Sequence, residues 1–297
     1  MTEMIQKRSV SRGIFIVINY ILCIVAAALC ILPMIHILAL SLSSYDPVVM
    51  GKVVFWPMGF TWDNYSVVVR DQQFFTSYVV SVTRSVLGWA IGIFLTVLAA
   101  YPMSMSRTRF PARTFFVWVF MGTMLFSGGM IPTYLVVNGV GLIDTIWALV
   151  LPGAVGTFNV ILIMNFMKGL PEEISESAMI DGASHTRILF QIIIPLSKAS
   201  IATVSLFIIL EHWNAWFDGL IYIRNATLKP LQTYLRTIII TDPSVTFESD
   251  IYMLMKNITT DATNGAKIFL ALVPVLIVYP FLQKYFTKGI ILGSVKG

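Results

Sequence analysis

Charge is what this sequence of 297 residues lacks most: Asp, Glu, Lys and Arg make up 12% of it, against about 25% in soluble domains. Hydrophobic residues make up 57% and the mean hydropathy is +0.81, which points to a multi-span membrane protein. Cysteine is nearly absent too. Cys23 and Cys30 stand two helical turns apart in one apolar run, too far for a bridge within a straight helix, and they form no metal pattern. Histidine is limited to His36, His185 and His212, with no two at ligand spacing and no H-E-x-x-H. Glu211 and His212 are adjacent, so on a helix their side chains diverge by about 100°. No serine or cysteine sits in a nucleophile setting. These absences argue against a metal site and against an enzyme. The net charge of +5 comes from basic residues in short runs between apolar blocks, a pattern of membrane topology and not of nucleic-acid binding.

Six apolar stretches are long enough to span a bilayer, which takes about 20 residues: 14–41, 78–103, 114–137, 146–167, 200–223 and 268–286. The first is too long for a signal-peptide core and reads as an uncleaved span. Segments 1–13, 104–113, 168–199 and 284–297 carry twelve lysines and arginines, while the longer opposing loops 42–77 and 224–266 carry six. The positive-inside rule therefore puts both termini in the cytoplasm. The expected layout is a cytoplasmic segment 1–13, one transmembrane domain 14–286 and a cytoplasmic tail 287–297. Several spans carry breaks. "SGGMIP" (127–132) should interrupt the third, Pro274 and Pro280 lie in the sixth, and Gly88 and Gly92 give the second a close-contact face.

One cytoplasmic stretch, 169–196, interrupts this apolar pattern. Pro171, Glu172 and Glu173 suit a helix start, and Gly182 suits its stop. Ser184 should cap a second helix with an apolar stripe of Ile188, Leu189, Ile192 and Ile193, closed by Pro195. Helices this short are marginal in water unless an apolar face is packed. The neighbour is either the membrane surface or another protein. Four acids within 172–181 would be repelled by anionic lipid, which favours a protein.

Span five carries Glu211, Asn214 and Asp218 at i, i+3 and i+7 among Trp213 and Trp216. Ionisable groups at that depth face protein or water. Carboxylates and amides can bond sugar hydroxyls, and indoles can cover a sugar ring. The alternative is that Asp218 and His212 simply sit at the outer headgroups. Arg84, in span two, pairs with Glu211 or Asp218, or snorkels outward.

The run from Glu176 through "ESAMIDGA" to "IIIPL" (192–196) closely resembles the EAA cytoplasmic loop of binding-protein-dependent ABC importer permeases. Glu176, Ala178, Asp181, Gly182, Ala183 and Pro195 match that motif. Ser177 stands where alanine is usual, and Ala199 where a proline is common. "WNAWFDGLIYI" (213–223) resembles a segment of the maltose-transporter class, and 128–152 and "TKGIILGSVKG" (287–297) look like its complex-oligosaccharide branch. The resemblance implies an all-α, polytopic membrane fold of six helices with a cytoplasmic coupling helix. It implies a bacterial plasma-membrane location and oligosaccharide import. The partners implied are a second, different permease, two ATPase subunits, an extracellular solute-binding protein and membrane lipid. It also implies that Gly289, Gly293 and Gly297 reach toward the ATPase. The chain has no G-x-x-x-x-G-K-[ST] loop, so ATP and Mg are expected on the ATPase and no cofactor on this chain. Two rivals stand beside this reading: a permease of the same class for an amino acid or glycerol phosphate, and a channel or secondary transporter.

Overall fold

The computed structural model describes residues 10–240 and 258–294, and all regular structure among them is helical. Residues 1–9, 241–257 and 295–297, and with them most of the predicted N-terminal segment and Gly297, lie outside the described residues. The chain divides into two compact units, residues 1–71 with 242–270, and residues 72–241 with 271–297.

In the first unit, α1 (Val10–Ser41) is a single helix whose most apolar 18-residue stretch has a mean hydropathy of 2.9. Its apolar side chains, such as Phe15 and Leu22, are exposed around the helix, as a lipid-facing span requires. Short helices α2 (Tyr45–Val49) and α3 (Asp63–Arg70) follow. Asn64 is buried and donates to the carbonyls of Ser41 and Ser43 at 2.9 and 3.0 Å, tying α3 to the end of α1. The unit also holds Lys267, whose Nζ lies 2.6 Å from Asp71 Oδ2. Lys267 thus meets the rule that a buried charge is paired.

The second unit is organised around α4 (Gln72–Ser104). It is followed by α5 (Arg113–Leu125), α6 (Met130–Gly139), α7 (Ile146–Val150) and α8 (Thr157–Lys168). The insert gives α9 (Glu172–Ile180) and α10 (His185–Leu196), and span five gives α11 (Lys198–Asn214) and α12 (Phe217–Tyr222). α13 (Leu231–Ile240) follows, and α14 (Thr260–Ser294) closes the chain. α4, α8 and α11 pack together around Val97, Ala100, Val160, Ile163, Val204 and Ile208. The small face predicted on α4 is used. A Cβ on Gly88 would collide with the His212 ring, and one on Gly92 would lie 3.1 Å from the Ala154 carbonyl.

Among the described residues, α1, α4 and the first 21 residues of α14 are long and apolar enough to cross a membrane, giving three such helices, or up to five if each of two sharply bent pairs forms one span. The predicted third span is such a pair: α5 and α6 meet at 115°, broken at the glycines of "SGGMIP". The predicted fourth span is α7 followed by the 12-residue α8. Pro274 and Pro280 do not break α14.

Candidate functional site

The insert folds locally much as its punctuation dictates. Pro171 sits one position before the first helical residue, at the cap and not inside the helix as the sequence suggested. At the other end Gly182 has φ +79°, a conformation that costs about 1–2 kcal/mol for a residue with a Cβ. The Ala183 amide donates to the Ala178 carbonyl at 2.9 Å, and the Gly182 amide to Met179 at 3.0 Å. This paired arrangement satisfies the last carbonyls of α9. Ser184 Oγ accepts the Arg187 amide at 3.4 Å, capping α10.

Two expectations are corrected. The apolar stripe of α10 needs no external neighbour, because Ile188, Leu189 and Ile193 are buried in the chain's own core beside Met164, Met167 and Val204. Nor does Pro195 close α10. The helix runs on to Leu196 and bends by 83° into α11 at the buried Ser197. Residues 189–193 form a wider π-helical turn just before the proline, which cannot donate a backbone bond.

What α9 leaves outside is therefore specific. Ala178 faces the core, while Glu172, Glu173, Glu176 and Asp181 are exposed and Ile180 is 87% exposed. Arg109, from the segment between α4 and α5, places its guanidinium 2.8 Å from Glu176. Sequence reasoning missed this brace, and the only signal for it was the basic run at 107–113.

The span-five cluster is arranged differently from a single stripe. The helix breaks at Ala215–Trp216, so Asp218 belongs to α12 and does not continue the row of Glu211 and Asn214. Arg84 is 3% exposed and grips the break. Its guanidinium pairs with both oxygens of Asp218 and donates to the Ala215 carbonyl at 3.1 Å. Asp218 also accepts the Gly219 amide at 2.8 Å. Of the alternatives for Arg84, Asp218 is thus its partner. Trp213 presents no free ring: it is buried, edge-on to Tyr78, and its Nε1 donates to the Ala271 carbonyl at 3.2 Å. Glu211, Asn214 and Phe217 remain exposed, and Trp216 is half-buried. Gly289 and Gly293 lie along α14.

Known proteins resemble this chain over nearly its whole length. No family model matches the chain. The polygalacturonan/rhamnogalacturonan transport system permease protein YtcP of Bacillus subtilis (strain 168) is 40% identical over 271 residues, 91% of this chain and 94% of that protein. LplC of the same organism is 40% identical over 301 residues, covering both chains fully. This chain belongs to the ABC transporter permeases. A solved bacterial ABC transporter involved in the import of the acidic polysaccharide alginate matches at a TM-score of 0.88 and 33% identity, over 94% of this chain and 98% of that one. The permease is a multi-pass plasma-membrane protein and a transport component, not an enzyme. ATP hydrolysis lies on a partner subunit, and the importer is completed by a partner permease and a binding protein.

Proposed function

We propose that this permease forms half of the translocation path of an oligosaccharide importer, paired with a different permease and driven by two ATPase subunits that bind ATP and Mg. Both termini and the insert face the cytoplasm, where the positive-inside count puts them. The exposed acidic face of α9 carries the reading. It is firmly stopped at Gly182, braced by Arg109 and led by the protruding Ile180, so it suits a rigid plug seated in a cleft of the motor. Glu176, Ala178, Asp181, Gly182, Ala183 and Pro195 shape that plug. Closure of the ATPase pair on ATP would move α9 and α10 as one lever, and the broken spans would then turn the path from one side to the other. Glu211, Asn214 and Trp216 are the span-five groups available to a passing sugar, while Trp213 and Asp218 hold the scaffold. Gly289, Gly293 and Gly297 form a second approach to the motor. Sugar is favoured over amino acids or glycerol phosphate by the Trp-Asn segment and by relatives named for sugar polymers, including a galactooligosaccharides permease 27% identical over 305 residues.

The test is the assembled transporter in proteoliposomes. Gly182→Pro and Glu176→Lys should each abolish sugar-stimulated ATP turnover and uptake while the permease pair still forms. Arg109→Glu should weaken coupling by removing the brace on Glu176. Undisturbed coupling in Gly182→Pro and Glu176→Lys would refute the lever, and flux indifferent to vanadate would indicate a channel.

A further inference from the structure

Next to the break in span five lies a cation that the clamp does not use. Arg236 of α13 is exposed, with its guanidinium carbon 3.6 Å from the centre of the Trp216 ring. It has no hydrogen-bond or ion-pair partner among the described residues, in contrast to Arg84, whose charge Asp218 neutralises. The pairing is held in place from below. Thr233, one helical turn before Arg236, donates its hydroxyl to the Trp216 carbonyl at 2.7 Å. α12 approaches this corner so closely that a Cβ on Gly219 would run into Thr233 and Pro230. Phe217 packs edge-on to Trp216, with ring centres 5.3 Å apart.

A guanidinium held over the face of an indole loses little by being desolvated on that side, and its remaining N–H donors stay open as a fork. That fork matches a carboxylate in bidentate geometry. The adjoining aromatic surface matches the apolar face of a sugar ring. We infer that Trp216 and Arg236 form a subsite for the carboxylate of an anionic, uronic-acid-containing oligosaccharide. The inference rests on the oligosaccharide reading above and narrows it: neutral sugars would gain the stacking surface but not the fork. A carboxylate supplied by a partner protein is the competing use of the same chemistry, and the experiment separates the two.

The complete transporter, with its binding protein, is reconstituted in proteoliposomes. Uptake and ATP turnover are measured with trigalacturonate and with its fully methyl-esterified form. Wild type should favour the acid. Arg236→Gln should raise the half-saturating concentration of the acid about tenfold, the scale of one lost charge-assisted contact at a partly exposed site, and leave the ester unchanged. Arg236→Lys should fall between the two, because an ammonium keeps the charge but not the fork. Equal losses for acid and ester would overturn the inference, since they would mean packing or a protein contact. An Arg236→Gln variant indistinguishable from wild type would overturn it as well. A wild-type complex that moves the ester but not the acid, or that moves neither, would refute this inference; uptake of a neutral galactooligosaccharide in the second case would leave the oligosaccharide reading standing, and its absence would bring that reading down as well.

Discussion

Replacing Arg84 by alanine should destabilise the second unit through two losses that can be separated. The guanidinium is 3% exposed and serves three acceptor atoms, two on Asp218 and one on the carbonyl of Ala215. Removing one partner of a buried pair costs about 3–5 kcal/mol, most of it from the stranded charge. The Asp218 side chain is 24% exposed and keeps the Gly219 amide as a donor, which places the cost at the lower end, about 3 kcal/mol. Asp218→Asn should cost a similar amount by stranding the more deeply buried arginine. Arg84→Met combined with Asp218→Leu should recover part of the loss, because no buried charge then remains; the deficit that persists is the unpaired Ala215 carbonyl and Gly219 amide, about 1 kcal/mol each. The assay is the thermal unfolding midpoint of the detergent-purified transporter, read as a double-mutant cycle. Single variants that each cost less than about 1 kcal/mol, or costs that simply add without coupling, would mean that the pair does not hold the broken span.

Two further outcomes follow from other contacts. Gly88→Ala should push the His212 ring aside and separate α4 from α11, at an overpacking cost of about 1–3 kcal/mol; adding His212→Ala should restore the unfolding midpoint, and a failure to restore it would place the strain elsewhere. Asp144, between α6 and α7, accepts the amides of Asn225 and Arg224 at 3.0 and 2.5 Å, and these bonds hold its carboxyl below the ordinary value of 3.8. A depressed folded pKa contributes stability that is complete above 3.8 and fades as the pH drops through the lower folded value. Asp144→Asn should therefore speed amide exchange at residues 224 and 225 near neutrality, and the difference from wild type should vanish in strong acid; a difference that persists there would refute the charge-based account.

The features that could be read from the sequence are the local ones. The stop at Gly182, the cap at Ser184 and the break at Gly128 and Gly129 are set by backbone chemistry within a few residues, and the structure has all three. The close face of Gly88 and Gly92 was also legible, because spacing alone defines it. The break at Ala215–Trp216 was not. No proline or glycine marks it, and its freed carbonyl is satisfied by Arg84, 131 residues away in sequence. Periodicity therefore carried Glu211, Asn214 and Asp218 along one row that the folded chain divides. Trp213 misled in the same manner: an indole next to polar residues looks like a sugar platform, and only the packing against Tyr78 and Ala271 shows that it faces inward. The stripe on α10 was identified correctly, but its neighbour was sought outside because amphipathicity states only that a face is covered, not what covers it.

The 83° elbow at Ser197 has a mechanical consequence. Ser197 is sealed from solvent, and helix continues on both sides of it, so the corner has no slack in which to fold. A push delivered at Ile180 would not be absorbed there. It would travel like torque through a bent crank along residues 198–214 and emerge at the far end, where the backbone is next interrupted.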